Sequence, residues 1–206
     1  MTFSSKIKDE LSRTEISDAA SAEAEVAAFV RTVGYITIKG MNKVELEFAS
    51  ENAAVARRIF KVLKTAYDIN AAVSVSKSNR LKKQNNYIIK IDENSTRQLL
   101  VDTKVVKNND FNIMNFNYEV PEELLTYDLC KRAYVRGSFM GSGSISNPER
   151  SYHAEFVSSK EIQSRTLQEL LKGYGINGKN IYRKNNFVTY IKESEYISDP
   201  SPLSPC

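Results

Sequence analysis

Apolar and polar positions alternate between two rhythms along this chain, one of helical spacing and one of strict alternation. In Ser4-Ser5-Lys6-Ile7-Lys8-Asp9-Glu10-Leu11 the apolar positions Ile7 and Leu11 lie about one turn apart behind a serine suited to capping, which predicts an N-terminal arm helix. Helical spacing returns from Ala22 to Val33. Tyr35-Ile36-Thr37-Ile38-Lys39 then alternates, a turn at Gly40-Met41-Asn42-Lys43 follows, and Val44-Glu45-Leu46-Glu47-Phe48 alternates again, as in a hairpin. From Asn52 to Tyr67 the residues Val55, Ile59, Leu63 and Ala66 form one stripe, and Arg57, Arg58, Lys61 and Lys64 read as a solvated remainder. Ala72–Ser76 and Tyr87–Ile91 predict a second hairpin, and Ser95–Val105 a further helix.

The same order then recurs. The polar stretch Lys107-Asn108-Asn109-Asp110 and the approach to Pro121 read as a connection, and a helix starts near Asp128. After Gly143 come a short strand at 144–146, alternation through Tyr152-His153-Ala154-Glu155-Phe156, a helix capped by Ser159, and a last hairpin of Ile181-Tyr182 with Phe187–Ile191. A short helix from Glu193 closes the pattern. Two glycine-ended segments anchor the repeat, Val26-Ala27-Ala28-Phe29-Val30-Arg31-Thr32-Val33-Gly34 and Val135-Arg136-Gly137-Ser138-Phe139-Met140-Gly141-Ser142-Gly143, offset by 109 residues. Ala28 and Thr32 in the first, and Gly137 and Gly141 in the second, are four apart and share a helix face, so the two helices can approach closely in a central seam. Gly34 and Gly143 are expected to close that seam's helices in the left-handed conformation glycine adopts freely. Residues 1–110 are expected to form the arm and first half, 111–199 the second half, and 200–206 a disordered tail.

Composition narrows the chemistry more than it identifies it. Hydrophobic residues make up 41% and charged residues 26%, which supports an ordinary core. Neither a membrane span nor a secretion signal is legible, so a cytoplasmic protein is expected. Cys130 and Cys206 exclude a disulfide framework, and the single His153 excludes the usual zinc spacings and triads. The run Gly141-Ser142-Gly143-Ser144 lacks the lysine and spacing of a phosphate loop. The net charge of +4 lies in residues 1–110, with 18 Lys+Arg against 14 Asp+Glu, while 111–206 carry 11 of each. That excess permits nucleic-acid binding without establishing it.

The repeated order resembles the LAGLIDADG fold of homing endonucleases, with V-A-A-F-V-R-T-V-G and V-R-G-S-F-M-G-S-G at the motif positions. The resemblance implies an α+β architecture: two pseudo-symmetric αββαββα halves whose antiparallel sheets form a saddle over DNA. The chain is similar, over nearly its whole length, to the WhiA family of bacterial sporulation and cell-division regulators, built on a degenerate endonuclease-like domain. The segments that carry this are Phe3–Leu11, Cys130–Ile145 and Tyr190–Asp199. In active endonucleases the acid before each terminal glycine binds a divalent metal. The positions here are Val33 and Ser142, so the resemblance implies no catalytic residue, no metal and no cofactor. Glu45, Glu47 and Glu155 are the acids that could stand in, although their placement is what any half-exposed strand shows. The family also implies a C-terminal helix-turn-helix domain. That module is expected to be absent from a chain ending in Pro200-Ser201-Pro202-Leu203-Ser204-Pro205-Cys206, which leaves sequence-specific recognition open.

The candidate DNA contacts are Tyr35, Thr37 and Lys39 on the first hairpin, Lys90 on a later strand, and the cationic loop with Lys77, Arg80, Lys82 and Lys83. Arg183 and Lys184 occupy the corresponding turn of the second half. Cations at hairpin tips can reach phosphates flanking a groove, although exposed hairpins also carry lysines to discourage edge pairing. Two functional readings stand. One is non-catalytic association with double-stranded DNA at the nucleoid by a regulator that also meets division or transcription proteins; the other is a protein-interaction scaffold. An active endonuclease is a third, tested by magnesium-dependent nicking.

Overall fold

The computed structural model describes residues 2–40, 43–77, 85–146 and 153–192. Thr2, rather than Ser4, caps the first helix α1 (Phe3–Ser12), its side chain accepting from the Ser5 N–H at 3.2 Å. Ser4 lies inside the helix and bonds the second half instead: its hydroxyl donates to the Ile145 carbonyl at 3.0 Å and accepts from the Ile145 N–H at 2.6 Å. Helix α2 (Ala19–Thr32) starts at a capping box of Asp18 and Ser21. Strands β1 (Gly34–Lys39) and β2 (Lys43–Ser50), helix α3 (Ala53–Tyr67), strands β3 (Ala72–Lys77) and β4 (Asn85–Lys90) and helix α4 (Glu93–Asp102) complete the first half. The last helix begins and ends earlier than the apolar spacing predicts. Asp92 caps it through the Ser95 N–H at 2.9 Å, and Lys104, at φ 59°, turns the chain away.

The second half repeats this order in α5 (Asp128–Ser142), β5 (Gly143–Ile145), β6 (His153–Ser158), α6 (Glu161–Gly173), β7 (Lys179–Arg183) and β8 (Asn186–Lys192). Ala19 and Asp128, which open the two seam helices, are 109 positions apart, as the motif offset requires. Ser159 does not cap α6; Lys160 occupies that position without a side-chain cap. The helix expected from Glu193 lies outside the described residues.

Each half carries one four-stranded antiparallel sheet, ordered β1-β2-β4-β3 and β5-β6-β8-β7. Period-two alternation sends Val44, Leu46 and Phe48 into the main core, together with Val55, Ile59, Leu63, Ile89 and Leu99. The second half has a thinner apolar core of Phe139, Phe156, Leu167 and Leu171, to which α1 contributes Ile7 and Leu11. Phe139 and Phe156 meet edge to face at 5.7 Å between ring centres. A polar lattice, buried at Thr189 and Ser164 and half-buried beyond them, supplements this core: Thr189 bonds Asn180 at 2.7 Å and Ser164 at 3.2 Å, and Asn180 donates to Gln168 at 3.0 Å.

Helices α2 and α5 form the seam because small residues face one another. A Cβ at Gly137 would stand 2.9 Å from the Ala28 methyl and 2.9 Å from the Glu25 carbonyl, and one at Gly141 would stand 2.8 Å from the Thr32 Cβ. Gly34 and Gly143 serve a different purpose. Neither is left-handed; Gly143 has φ −80° and ψ 154°. A Cβ there would collide with the preceding turn of its own helix, at Val30 and at Phe139 respectively. These two glycines let each strand leave its helix at once, while Gly137 and Gly141 let the helices touch.

Buried charge locks the seam. Glu25, fully buried, accepts from the Arg58 guanidinium of α3 through two bonds of 2.7 Å, and from Arg136 of α5 at 2.6 and 3.2 Å. Arg58 also donates to the Thr14 carbonyl. It is 1% exposed, which corrects its reading as a solvated base. Arg31 pins the connection between halves by donating to the carbonyls of Thr103 (2.8 Å), Tyr118 (3.2 Å) and Glu119 (2.9 Å).

Candidate nucleic-acid interface

The sheet faces turned away from the helices carry the candidate contacts. On the first sheet that face bears Tyr35, Thr37 and Lys39 of β1, Lys43, Glu45 and Glu47 of β2, and Lys90 of β4, by register and alternation. Tyr35 is 64% exposed. The two expected lysines do not stand alone: Lys39 Nζ lies 2.7 Å from Glu45 Oε2, and Lys90 Nζ lies 2.6 Å from Glu47 Oε1, while Lys43 approaches Glu45 at 3.6 Å. The hydrogen bond from Lys39, with its charge and that of Lys43, holds the Glu45 carboxyl below the usual range. The Glu47 carboxylate raises the Lys90 ammonium. Acids and bases on this face therefore neutralise one another locally.

Lys77 falls elsewhere. It pairs with Asn85 and shares its side of β3 with Val73 and Val75, opposite to Lys90, so the structure separates two cations that the sequence groups as DNA contacts. Arg80, Lys82 and Lys83 lie outside the described residues.

On the second sheet the equivalent face bears His153 and Glu155 of β6, Lys179 and Arg183 of β7, and Tyr190 and Lys192 of β8. Arg183 lies 3.3 Å from Glu155, and the Lys192 ammonium stands 5.6 Å from the Tyr190 ring centre. Val157 and Ile181 form a partly exposed apolar strip over the buried Val188. Lys184 and Asn185, at φ 51° and 62°, make the two-residue turn that joins β7 to β8, and this turn displays Lys184 at the tip. Sequence reasoning names Arg183 and Lys184 but misses Lys43, Lys179 and Lys192. For Lys43 the signal was alternation, since it keeps the outward parity of a strand whose other face is Val44, Leu46 and Phe48; β7 and β8 mix polar and apolar residues on both faces, so Lys179 and Lys192 carried no such signal.

The seam's C-terminal ends bring Val33 and Gly141 together, the valine Cγ1 lying 3.5 Å from where a Cβ on that glycine would be. Ser142 donates its hydroxyl to the Ser138 carbonyl at 3.3 Å. Neither residue offers a carboxylate. Glu45, Glu47 and Glu155 are each engaged by a lysine or arginine on the sheet faces, and among the described residues no cluster of three or more His, Cys, Asp or Glu side chains is arranged to hold a metal ion. No helix there is long and apolar enough to cross a membrane.

Two antiparallel sheets joined by a glycine-faced helical seam define the α+β LAGLIDADG class. The solved structure of the homing endonuclease I-DmoI in complex with DNA and Mn matches with a TM-score of 0.55 at 8% identity, over 87% of this chain and 94% of that one. Within that class the chain belongs to the WhiA family: residues 19–106 match the WhiA N-terminal LAGLIDADG-like domain and residues 131–200 the WhiA LAGLIDADG-like domain. It is 45% identical over 201 residues to the probable cell division protein WhiA of Clostridium tetani and 38% identical over 200 residues to that of Alkaliphilus metalliredigens. It spans 97% of its own length but 63% of each of theirs. The full-length DUF199/WhiA structure from Thermatoga maritima matches with a TM-score of 0.66 at 21% identity, over 96% of this chain and 59% of that one.

Proposed function

We propose that this chain is a non-catalytic, double-stranded-DNA-associating part of a WhiA-type regulator of bacterial cell division, chromosome segregation or sporulation, acting in the cytoplasm at the nucleoid. The observation that carries the reading is the pairing of a saddle-type scaffold with seam ends occupied by Val33 and Ser142. Phosphodiester hydrolysis calls for a cation that activates water and stabilises the leaving oxygen; a valine supplies no ligand, and the serine hydroxyl is turned into its own helix. Lys184 and Lys192 on the second sheet and its turn, with the four loop bases Lys77, Arg80, Lys82 and Lys83, suit phosphate contacts. Four loop contacts would give a logarithmic salt slope near −3.6, a loss of about a hundredfold between 50 and 200 mM salt.

The test is duplex binding across that salt range, with plasmid nicking assayed in Mg²⁺ and Mn²⁺. Salt-sensitive association without nicking is expected. Association unchanged by salt and by joint alanine replacement of Lys77, Arg80, Lys82 and Lys83 would refute the DNA role of this segment, and metal-dependent nicking would refute the non-catalytic one.

A protein-interaction scaffold is the second reading, favoured by the local neutralisation of Lys39 and Lys90. Capture of a division or transcription protein by a chain that ignores DNA would select it.

A further inference from the structure

A cleft of about 780 Å³ opens where the C-terminal ends of the two seam helices meet the arm helix α1, the start of α3 and the first residues of β5. Lys8 lines it, with its ammonium 5.8 Å from the Phe139 ring centre and no carboxylate within ion-pair distance among the described residues. The other charged groups facing the cleft are few. Asp9, the next residue on α1, is already held by Arg13 at 2.5 Å and lies 3.7 Å from Arg57 of α3. Glu51, ahead of α3, is exposed. Helix α5 and strand β5 contribute Met140, Gly141, Gly143 and Ser144, none of them charged. Burial pushes the Lys8 ammonium down to about 8, the mark of a cation whose lost water has not been replaced by a counter-charge.

We infer that this cleft is a binding site for a phosphate oxyanion, with Lys8 as its principal cation, Arg57 as the second, and the hydroxyls of Ser5 and Ser144 as neutral donors. A tetrahedral oxyanion fits this set because it presents several acceptors to donors arriving from different elements. The inference does not require the DNA reading, which decides only whether the phosphate comes from a duplex or from a free oligophosphate.

The experiment is NMR titration of the ¹³C-labelled lysine side chains in the whole chain, with pyrophosphate as the probe. Lys8 should titrate near pH 8 alone, and saturating pyrophosphate should move its midpoint up by about one unit, as an opposing charge at close range does. Because the folded ammonium is protonated below about pH 8 and neutral above it, pyrophosphate affinity should fall as pH rises from 7 to 9. Lys8→Gln should abolish the response. Lys8→Arg should keep binding but lose this pH dependence, since a guanidinium stays charged throughout; it also guards against a folding defect in the first variant. In parallel, duplex binding by Lys8→Gln should show a salt slope smaller by about 0.9 if the phosphate is DNA's. A slope that stays the same while pyrophosphate still shifts Lys8 assigns the site to a free oligophosphate, and a chain that ignores DNA but responds to pyrophosphate leaves the site standing without the DNA reading. A Lys8 midpoint indifferent to pyrophosphate, or equal pyrophosphate affinity in wild type and Lys8→Gln, overturns the inference.

Discussion

Gly141 and Gly173 are both glycines of helices, and their surroundings give them opposite consequences. Adding a methyl at Gly141 drives it into Thr32 across the seam, whereas at Gly173 nothing lies within 4 Å. Gly141→Ala should therefore destabilise the chain by about 1–3 kcal/mol, while Gly173→Ala should be neutral or raise stability by up to about 1 kcal/mol through helix propensity; urea unfolding of the two variants side by side checks both signs. Glu25 makes a sharper case. Its removal would leave the Arg58 guanidinium buried without a counter-charge, so Glu25→Ala should cost about 3–5 kcal/mol, and restoring a carboxylate of shorter reach in Glu25→Asp should recover part of it. At this scale the sequence was legible for the seam glycines, because small residues four apart have few other uses. Arg58 was not. Its position falls between Val55 and Val62 on the buried stripe of α3, but an arginine there reads as solvent-facing until a partner carboxylate from α2 is placed beside it.

Among the elements, α1 is the one whose role its own pattern conceals. Ile7 and Leu11 predict an amphipathic helix, yet nothing local says that their apolar side covers Phe139 in the second half or that Ser4 occupies the backbone edge of β5 at Ile145. An Ile7→Ser variant should lose about 1 kcal/mol or more of burial, and amide hydrogen exchange should rise first in α5, β5 and β6 rather than in the larger core of the first half, against which Leu11 also packs. The N-terminus of α2 offers a pH-dependent prediction. The Asp18 carboxyl is held below its ordinary range, first by the Ser21 N–H and then by the Tyr127 hydroxyl. A depressed folded-state pKa contributes stability above the unfolded value and loses it as pH falls through the folded one. The difference in Tm between wild type and Asp18→Ala should therefore be present at pH 7 and close in acid, below the usual carboxylate range; a gap that persists at pH 2 would exclude this cap as its source.

For the whole molecule, the two sheets should contribute unequally if the chain grips DNA. The Lys39 and Lys90 charges are answered by Glu45 and Glu47, so replacing both lysines with glutamine should change the salt slope by less than the 0.9 per contact expected of free cations. The corresponding double replacement of Lys184 and Lys192 should reduce it by up to about 1.8, and a salt series on the two variants compares the halves directly. The alternation and glycine spacing of the chain determined the element order, the duplication and the closeness of the two seam helices, since each depends on neighbours within a few residues or on a repeat visible to the eye. Only the folded molecule decided which charges cancel, which arginine is buried, that Gly34 and Gly143 relieve their own helices, and that an arm lysine lines a cleft at the seam's end. Those outcomes depend on distances between groups far apart in the chain: Glu25 and Arg136 are separated by 111 residues and Ser4 and Ile145 by 141, and no local pattern encodes which side chain a distant carboxylate or carbonyl will meet.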